Sequence, residues 1–248
     1  MKLEQHMQFV YLCGLMTIII IISQITDIPR YMTANIAMAN KNIVENDHKK
    51  GTQSRDYEKP LSILCWVMTG EKNHKTKARA VKDTWGRHCN LTLYMSEAAD
   101  DELPSTKLNT SSGREHLTAK TVQAFQFIYE HHYHQFDWFI KCDDDTYLIV
   151  ENLRYLLRKY SPWDPIYFGL HLKMHKHFVK QGYNSGGAGY VIGKTALYRF
   201  AHRNDSLCQK DFGNEDLNFG NCMELLGIKV GDSRDDKKLI RFHALRPW

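Results

Sequence analysis

The sequence contains no Cys-x-x-Cys pair, so zinc ribbons and thioredoxin-type redox sites have no support. No Lys/Arg run reaches the density of a nucleic-acid-binding arm, and no nucleic-acid partner is expected. There is no internal repeat and no low-complexity tract. A mean hydropathy of −0.48 leaves no room for a multi-span membrane protein. Neither sign of charge dominates: 33 Lys and Arg face 28 Asp and Glu, a formal net charge of +5. That mild excess suits a phosphate-bearing or acidic ligand, although solubility alone also accounts for it. With 25% charged and 43% hydrophobic residues, disordered and collagen-like chains are excluded.

One apolar stretch is present. Positions 5 to 26 carry no Asp, Glu, Lys or Arg, and at about 1.5 Å per residue they cross a hydrocarbon layer of about 30 Å. A cleaved signal peptide is the rival reading, but Gln24, Ile25, Asp27 and Pro29 make a poor small-residue cleavage site. Lys2 and Arg30 nearly balance across the span, so orientation rests on the bulk of the chain lying C-terminal to it. The expected organisation is a cytoplasmic tail at 1–6, a signal-anchor transmembrane helix at 7–28, a polar stem at 29–60 and a lumenal domain at 61–248. Sequons at Asn90, Asn109 and Asn204 fit that placement. Cys13 lies in the span, and in an oxidising lumen Cys65 with Cys89 and Cys208 with Cys222 are neighbours in sequence, leaving Cys142 over.

Beyond Pro60 the pattern is α/β. Leu61 to Met68 is an apolar run of strand length ended by Thr69-Gly70, Lys75 to Arg87 reads as helix, and Leu91 to Met95 reads as strand. Lys120 to His132 is a stronger helix, with Val122, Phe125 and Tyr129 as its apolar stripe. Phe136 to Cys142 is a buried strand running into Asp143-Asp144-Asp145. Helices follow from Val150 to Tyr160, Lys194 to Arg203 and Asn214 to Leu226, with strands at Pro165 to Gly169 and Gly189 to Ile192. Alternating strands and helices imply a mostly parallel sheet covered on both faces, with ligands beyond the carboxyl ends of its strands.

Three adjacent carboxylates at such a strand end are the sharpest chemical feature. In extended backbone Asp143 and Asp145 project the same way, and two hard oxygen ligands suit Mg²⁺ or Mn²⁺ with phosphate and water completing the shell. The competing reading is a loop whose aspartates cap the helix near Val150. An EF-hand is excluded, because Thr146-Tyr147-Leu148 replaces its alternating ligands. A nucleotide diphosphate would need cations nearby. Gly113-Arg114 at a helix start and Lys120 are candidates, with surface solvation as their alternative. His131, His132 and His134, and His171, His175 and His177, read as solvated or helix-end histidines.

A co-linear series of motifs makes the reading specific. Ile63-Leu-Cys-Trp-Val-Met-Thr-Gly70, Lys77-Ala-Arg-Ala-Val-Lys-Asp-Thr-Trp85 and Asp137-Trp-Phe-Ile-Lys-Cys-Asp-Asp-Asp-Thr-Tyr147 come first. Gly182-Tyr-Asn-Ser-Gly-Gly-Ala-Gly-Tyr190, Glu215-Asp-Leu217 and Gly231-Asp-Ser-Arg-Asp235 follow. The chain resembles the core 1 β1,3-galactosyltransferases, within the glycosyltransferase family that includes the fringe proteins, from about Leu61 to Phe242. The resemblance implies a GT-A (Rossmann-like) domain in the Golgi membrane, single-pass type II. It also implies inverting transfer of galactose from UDP-galactose to Ser/Thr-linked N-acetylgalactosamine. By position, Met68 would contact the uridine side. Gly113, Arg114 and Lys120 would bind UDP, Asp143 and Asp145 would hold Mn²⁺, and Asp216 would serve as base. A helix-start carboxylate that only favours the dipole is the other reading of Asp216. Implied partners are UDP-galactose, glycoproteins bearing N-acetylgalactosamine, and the membrane through the anchor, with a homodimer left open. The resemblance also has cysteines at Cys65, Cys89, Cys208 and Cys222, and makes Cys142 a packed, inert thiol.

Departures stand beside these matches. Glu71 replaces a proline, Ser112 an acidic residue and Asn184 a methionine. The family continues past Phe242 into a segment carrying an acceptor-contacting Trp and a metal-completing His, whereas this sequence ends at Trp248, and His243 does not match that His by context. Two further readings stay open: a non-catalytic binding partner or chaperone of a longer galactosyltransferase, and a fringe-like N-acetylglucosaminyltransferase.

Overall fold

The structure, a computed structural model, describes residues 61–204, 208 and 214–245. The expected tail, anchor and stem lie outside the described residues. Among the described residues no helix is long and apolar enough to cross a membrane.

The chain opens with β1 (Ile63–Met68), then α1 (Arg79–Asp83), β2 (Leu91–Ser96), β3 (Ser105–Lys107), α2 (Leu117–His132), β4 (Trp138–Asp143) and α3 (Val150–Leu157). It continues with β5 (Ile166–Gly169), β6 (His171–Leu172), β7 (Tyr183–Asn184), β8 (Tyr190–Gly193), α4 (Lys194–Ala201), α5 (Glu215–Leu225) and β9 (Lys229–Val230). Seven strands form one sheet in the order β3-β2-β1-β4-β8-β5-β9, while β6 and β7 form a separate hairpin. The β1, β2, β3 and β4 pairings are parallel, as expected. One feature differs from that expectation: β8 runs antiparallel to both neighbours, β4 and β5.

Every residue of β1 is buried, the mark of a central strand covered on both faces. Ile63, Cys65 and Val67 join Val81, Trp85, Ile140, Leu153 and Leu157 on one side. On the other, Trp66 packs edge-on to Phe125 of α2 at 5.3 Å, and Phe125 stacks on Phe219 of α5 at 5.4 Å. Each such buried side chain contributes on the order of 2 kcal/mol of transfer free energy. Disulfides join Cys65 to Cys89 and Cys208 to Cys222, the pairing of sequence neighbours, and Cys142 is a free buried thiol.

Two helices depart from expectation. Lys75 to Arg87 is not one helix: a wide turn at His74–Ala78 leads into the five-residue α1, and a tight turn follows at Trp85–His88. The Thr84 hydroxyl donates back to the Ala80 carbonyl at 2.6 Å, and the break seats buried Trp85, whose indole N–H donates to the Thr146 carbonyl. On α2 the buried residues are Thr118, Lys120, Thr121, Ala124, Phe125 and Ile128; of the expected stripe only Phe125 is fully buried. Nor do the aspartates cap α3, whose N-cap is Ile149 with no side-chain bond.

Candidate active site

β1 and β4 end side by side, with Met68 paired in register to Asp143. The strand stops there, so pleat alternation does not carry on through Asp145. A turn follows instead, with the Thr146 N–H donating to the Asp143 carbonyl at 3.1 Å. The turn sorts the three carboxylates. Asp144 is buried and accepts from the Thr69 hydroxyl and the Asn73 amide, each at 2.8 Å. Asp145 is exposed and pairs with Lys77 at 2.8 Å. Asp143, partly exposed, receives the Lys141 ammonium at 2.5 Å.

Lys141 lies two residues before Asp143 on the same face of β4 and is 2% exposed. Its ammonium also donates to the Gly186 carbonyl at 3.3 Å and lies 3.7 Å from Glu215. Burial alone would lower its pKa; the charges of Asp143 and Glu215 outweigh burial and hold it above the usual lysine range. Glu215, at the start of α5, accepts from Thr121 at 2.8 Å and Tyr190 at 2.5 Å. Burial pushes its carboxyl up, only partly offset by Lys141 and these two donors. The Cys142 thiol is likewise pushed up by burial, which makes it a poor nucleophile.

Asp216 follows. Its Oδ2 accepts the Gly186 N–H at 3.0 Å and its Oδ1 the Leu217 N–H at 2.9 Å, so the carboxylate is oriented by backbone. Gly186 must be glycine for lack of room: a Cβ there would meet Glu215 at 2.9 Å and the Lys141 ammonium at 3.2 Å.

Across the cavity, Gly113 adopts φ +123, where a Cβ would collide with the Glu115 carboxylate. This turn begins the helical segment with Arg114, which is exposed and has no carboxylate partner among the described residues. Lys120 is buried and already engaged, with Glu97 at 2.5 Å and the Thr69 carbonyl at 3.1 Å. Burial would raise Glu97; the hydrogen bond and charge of Lys120 bring it below the usual carboxylate range.

Met68, Gly113, Arg114, Lys120, Asp143, Asp145 and Asp216 all line one cavity of about 770 Å³, with Glu71 and Ser112 on its wall. His243 is exposed and does not line it. Among the described residues no group of three or more His, Cys, Asp or Glu could hold a metal. Asp143 and Asp145 are hard oxygen donors of the kind a divalent cation takes, and each is engaged here by a lysine, Lys141 and Lys77. Sequence reasoning missed Lys141 and Glu97. Lys141 carried a signal, since a lysine inside an apolar strand needs a buried acidic partner and the same face two residues on supplies one. Glu97 carried none.

The fold and this cavity are those of a mixed α/β domain consistent with the GT-A-like glycosyltransferase class. Residues 59–242 match the Fringe-like family, and the chain belongs to it. It is 45% identical over 195 residues to a Xenopus laevis protein named glycoprotein-N-acetylgalactosamine 3-beta-galactosyltransferase 1, covering 78% of this chain and 53% of that one. It is 27% identical over 189 residues to a mouse beta-1,3-glucosyltransferase (76% and 37% covered), and 24% identical over 181 residues to human chondroitin sulfate synthase 3 (66% and 20%). The chain thus spans about half the length of the Xenopus relative and less of the others.

Proposed function

We propose that this domain transfers galactose from UDP-galactose, with inversion, to the 3-hydroxyl of Ser/Thr-linked N-acetylgalactosamine on glycoproteins, in the Golgi lumen behind an N-terminal membrane anchor. The supporting observation is the convergence of seven residues, widely spaced in sequence, on one cavity at the ends of β1 and β4. The name of the Xenopus relative, a 3-beta-galactosyltransferase of glycoprotein N-acetylgalactosamine, supports the choice of donor sugar and acceptor class.

In this reading Asp143 and Asp145 hold Mn²⁺, which when bound would neutralise charge on the departing diphosphate. Met68 would contact the uridine side of UDP. Arg114, without a carboxylate partner among the described residues, would offer its guanidinium fork to phosphate, and Gly113 would let the backbone approach. Asp216, aimed by two backbone N–H groups, takes the proton of the acceptor hydroxyl. Lys120 acts through Glu97 and the Thr69 carbonyl, fixing the loop after β1 rather than standing free toward phosphate.

Titration calorimetry of the full chain with UDP tests the binding half. We expect UDP affinity to rise at least tenfold with Mn²⁺ and to lose that gain in Asp145→Asn; equal affinities would remove the metal from the site. A second reading, a non-catalytic partner of a longer galactosyltransferase, draws on Lys77 and Lys141 already balancing Asp145 and Asp143. It expects UDP binding without transfer.

A further inference from the structure

The β6–β7 hairpin plays no part in the chemistry above, yet it is rooted in the cavity wall. His171 pairs with Asn184, the Ser185 N–H donates to the Leu170 carbonyl at 2.9 Å, and Gly186 and Gly187, the next residues, line the cavity. Between the two strands the chain presents Lys173, Lys176 and Lys180, all exposed, and none pairs with a carboxylate among the described residues. Met174 and Phe178, 56% and 65% exposed, stand among them. His175 and His177 are exposed too.

This loop is folded rather than a solvated run. His175 takes φ +58, and its carbonyl accepts from the N–H groups of Phe178 at 2.8 Å and Val179 at 3.2 Å. Val179 is fully buried as an anchor, and the Gln181 side chain donates to the Ile228 carbonyl at 2.9 Å. The His177 and Phe178 rings lie 4.8 Å apart. This turn carries three exposed lysines with no carboxylate partner among the described residues, and two exposed apolar side chains. The cavity differs in that it carries both signs, with Lys77, Lys120 and Lys141 already paired to Asp145, Glu97 and Asp143. An acidic chain finds its complement in the hairpin, whose three lysines have no carboxylate partner among the described residues.

We propose that the β6–β7 hairpin docks an acidic peptide segment of the acceptor, with Lys173, Lys176 and Lys180 pairing its carboxylates and Met174 and Phe178 covering its apolar side chains. The proposal rests on the transferase reading and adds the class of acceptor.

The test compares two GalNAc-threonine peptides of equal length, one with Asp and Glu flanking the sugar and one with Ala, on the full chain and on a Lys173→Glu/Lys176→Glu/Lys180→Glu variant. The acidic peptide is expected to show a KM about fivefold lower than the neutral one, a preference that disappears in the variant and at about 0.5 M salt. KM and kcat for the neutral peptide should stay unchanged. Fluorescence anisotropy of a labelled acidic peptide without sugar reads the same surface independently of transfer, so an absence of galactosyl transfer leaves this proposal decidable. Equal anisotropy titrations for wild type and variant would overturn it. So would hairpin-dependent binding to phosphatidylserine vesicles with no binding of the peptide.

Discussion

The Lys141 ammonium lies 2.5 Å from Asp143 Oδ1, and on its far side Glu215 Oε2 is 3.7 Å away. One buried cation thus ties the carboxylate at the end of β4 to the carboxylate that opens α5, and with it to the neighbouring Asp216. Lys141→Met strands two carboxylates, one of them buried, and is expected to lower unfolding free energy by about 3 kcal/mol. Adding Glu215→Gln removes the more deeply buried orphan charge and should recover part of that loss. Urea denaturation of the two single variants and the double variant measures the coupling; strictly additive effects would show that Lys141 and Glu215 do not act together.

Gly186 and Gly187 give a paired test of crowding. A Cβ on Gly186 meets Glu215, Lys141 and Asp216, whereas one on Gly187 meets nothing within 4 Å. Gly186→Ala is expected to cut transfer at least tenfold by crowding Glu215 and the Lys141 ammonium and so disturbing the Gly186 N–H that orients Asp216, with Gly187→Ala close to wild type. Steady-state kinetics on both, beside their melting curves, separates displacement from unfolding.

Asp216→Asn keeps shape and hydrogen-bond acceptance at Oδ1 but cannot take a proton. Its kcat should fall about a hundredfold or more while UDP affinity holds. Retained kcat would reduce Asp216 to a helix-start carboxylate.

Glu97 and Lys120 set a pH dependence. The folded-state pKa of Glu97 is lowered from 4.5, so the ionised form is the one the fold favours. Its stabilisation is therefore present above about pH 4.5 and lost as pH falls through the folded value. Glu97→Gln should be destabilised by about 2–3 kcal/mol at pH 7, because Lys120 stays buried without its carboxylate, and the gap should narrow toward pH 4. Thermal melts from pH 7 down to pH 3 would show no narrowing of the gap below pH 4.5 if the pair contributed nothing.

The strands were legible because β1 and β4 are apolar runs of strand length, and the disulfides because their cysteines are sequence neighbours. The two ends of the site were legible too, since Asp143-Asp144-Asp145 interrupts such a run and Gly113-Arg114 opens a helix. The face of α2 was not. Lys120 and Thr121 are buried there by Glu97 and Glu215, distant in sequence, so the apolar stripe through Val122 and Tyr129 pointed a residue off. The direction of β8 was also hidden, because it depends on how the chain returns after the hairpin rather than on composition. Lys75 to Asp83 has helical composition, and Thr84, bonded back to Ala80, and Gly86, where a Cβ would meet the Val81 carbonyl, break it around buried Trp85.

The decisive measurement is galactose transfer by the full chain from UDP-galactose to a GalNAc-threonine peptide with Mn²⁺, with EDTA and Asp145→Asn as controls. The transferase reading predicts a β1,3-linked product that disappears with EDTA and falls at least a hundredfold in the variant. No product from folded protein that binds UDP, or product indifferent to both controls, would contradict it.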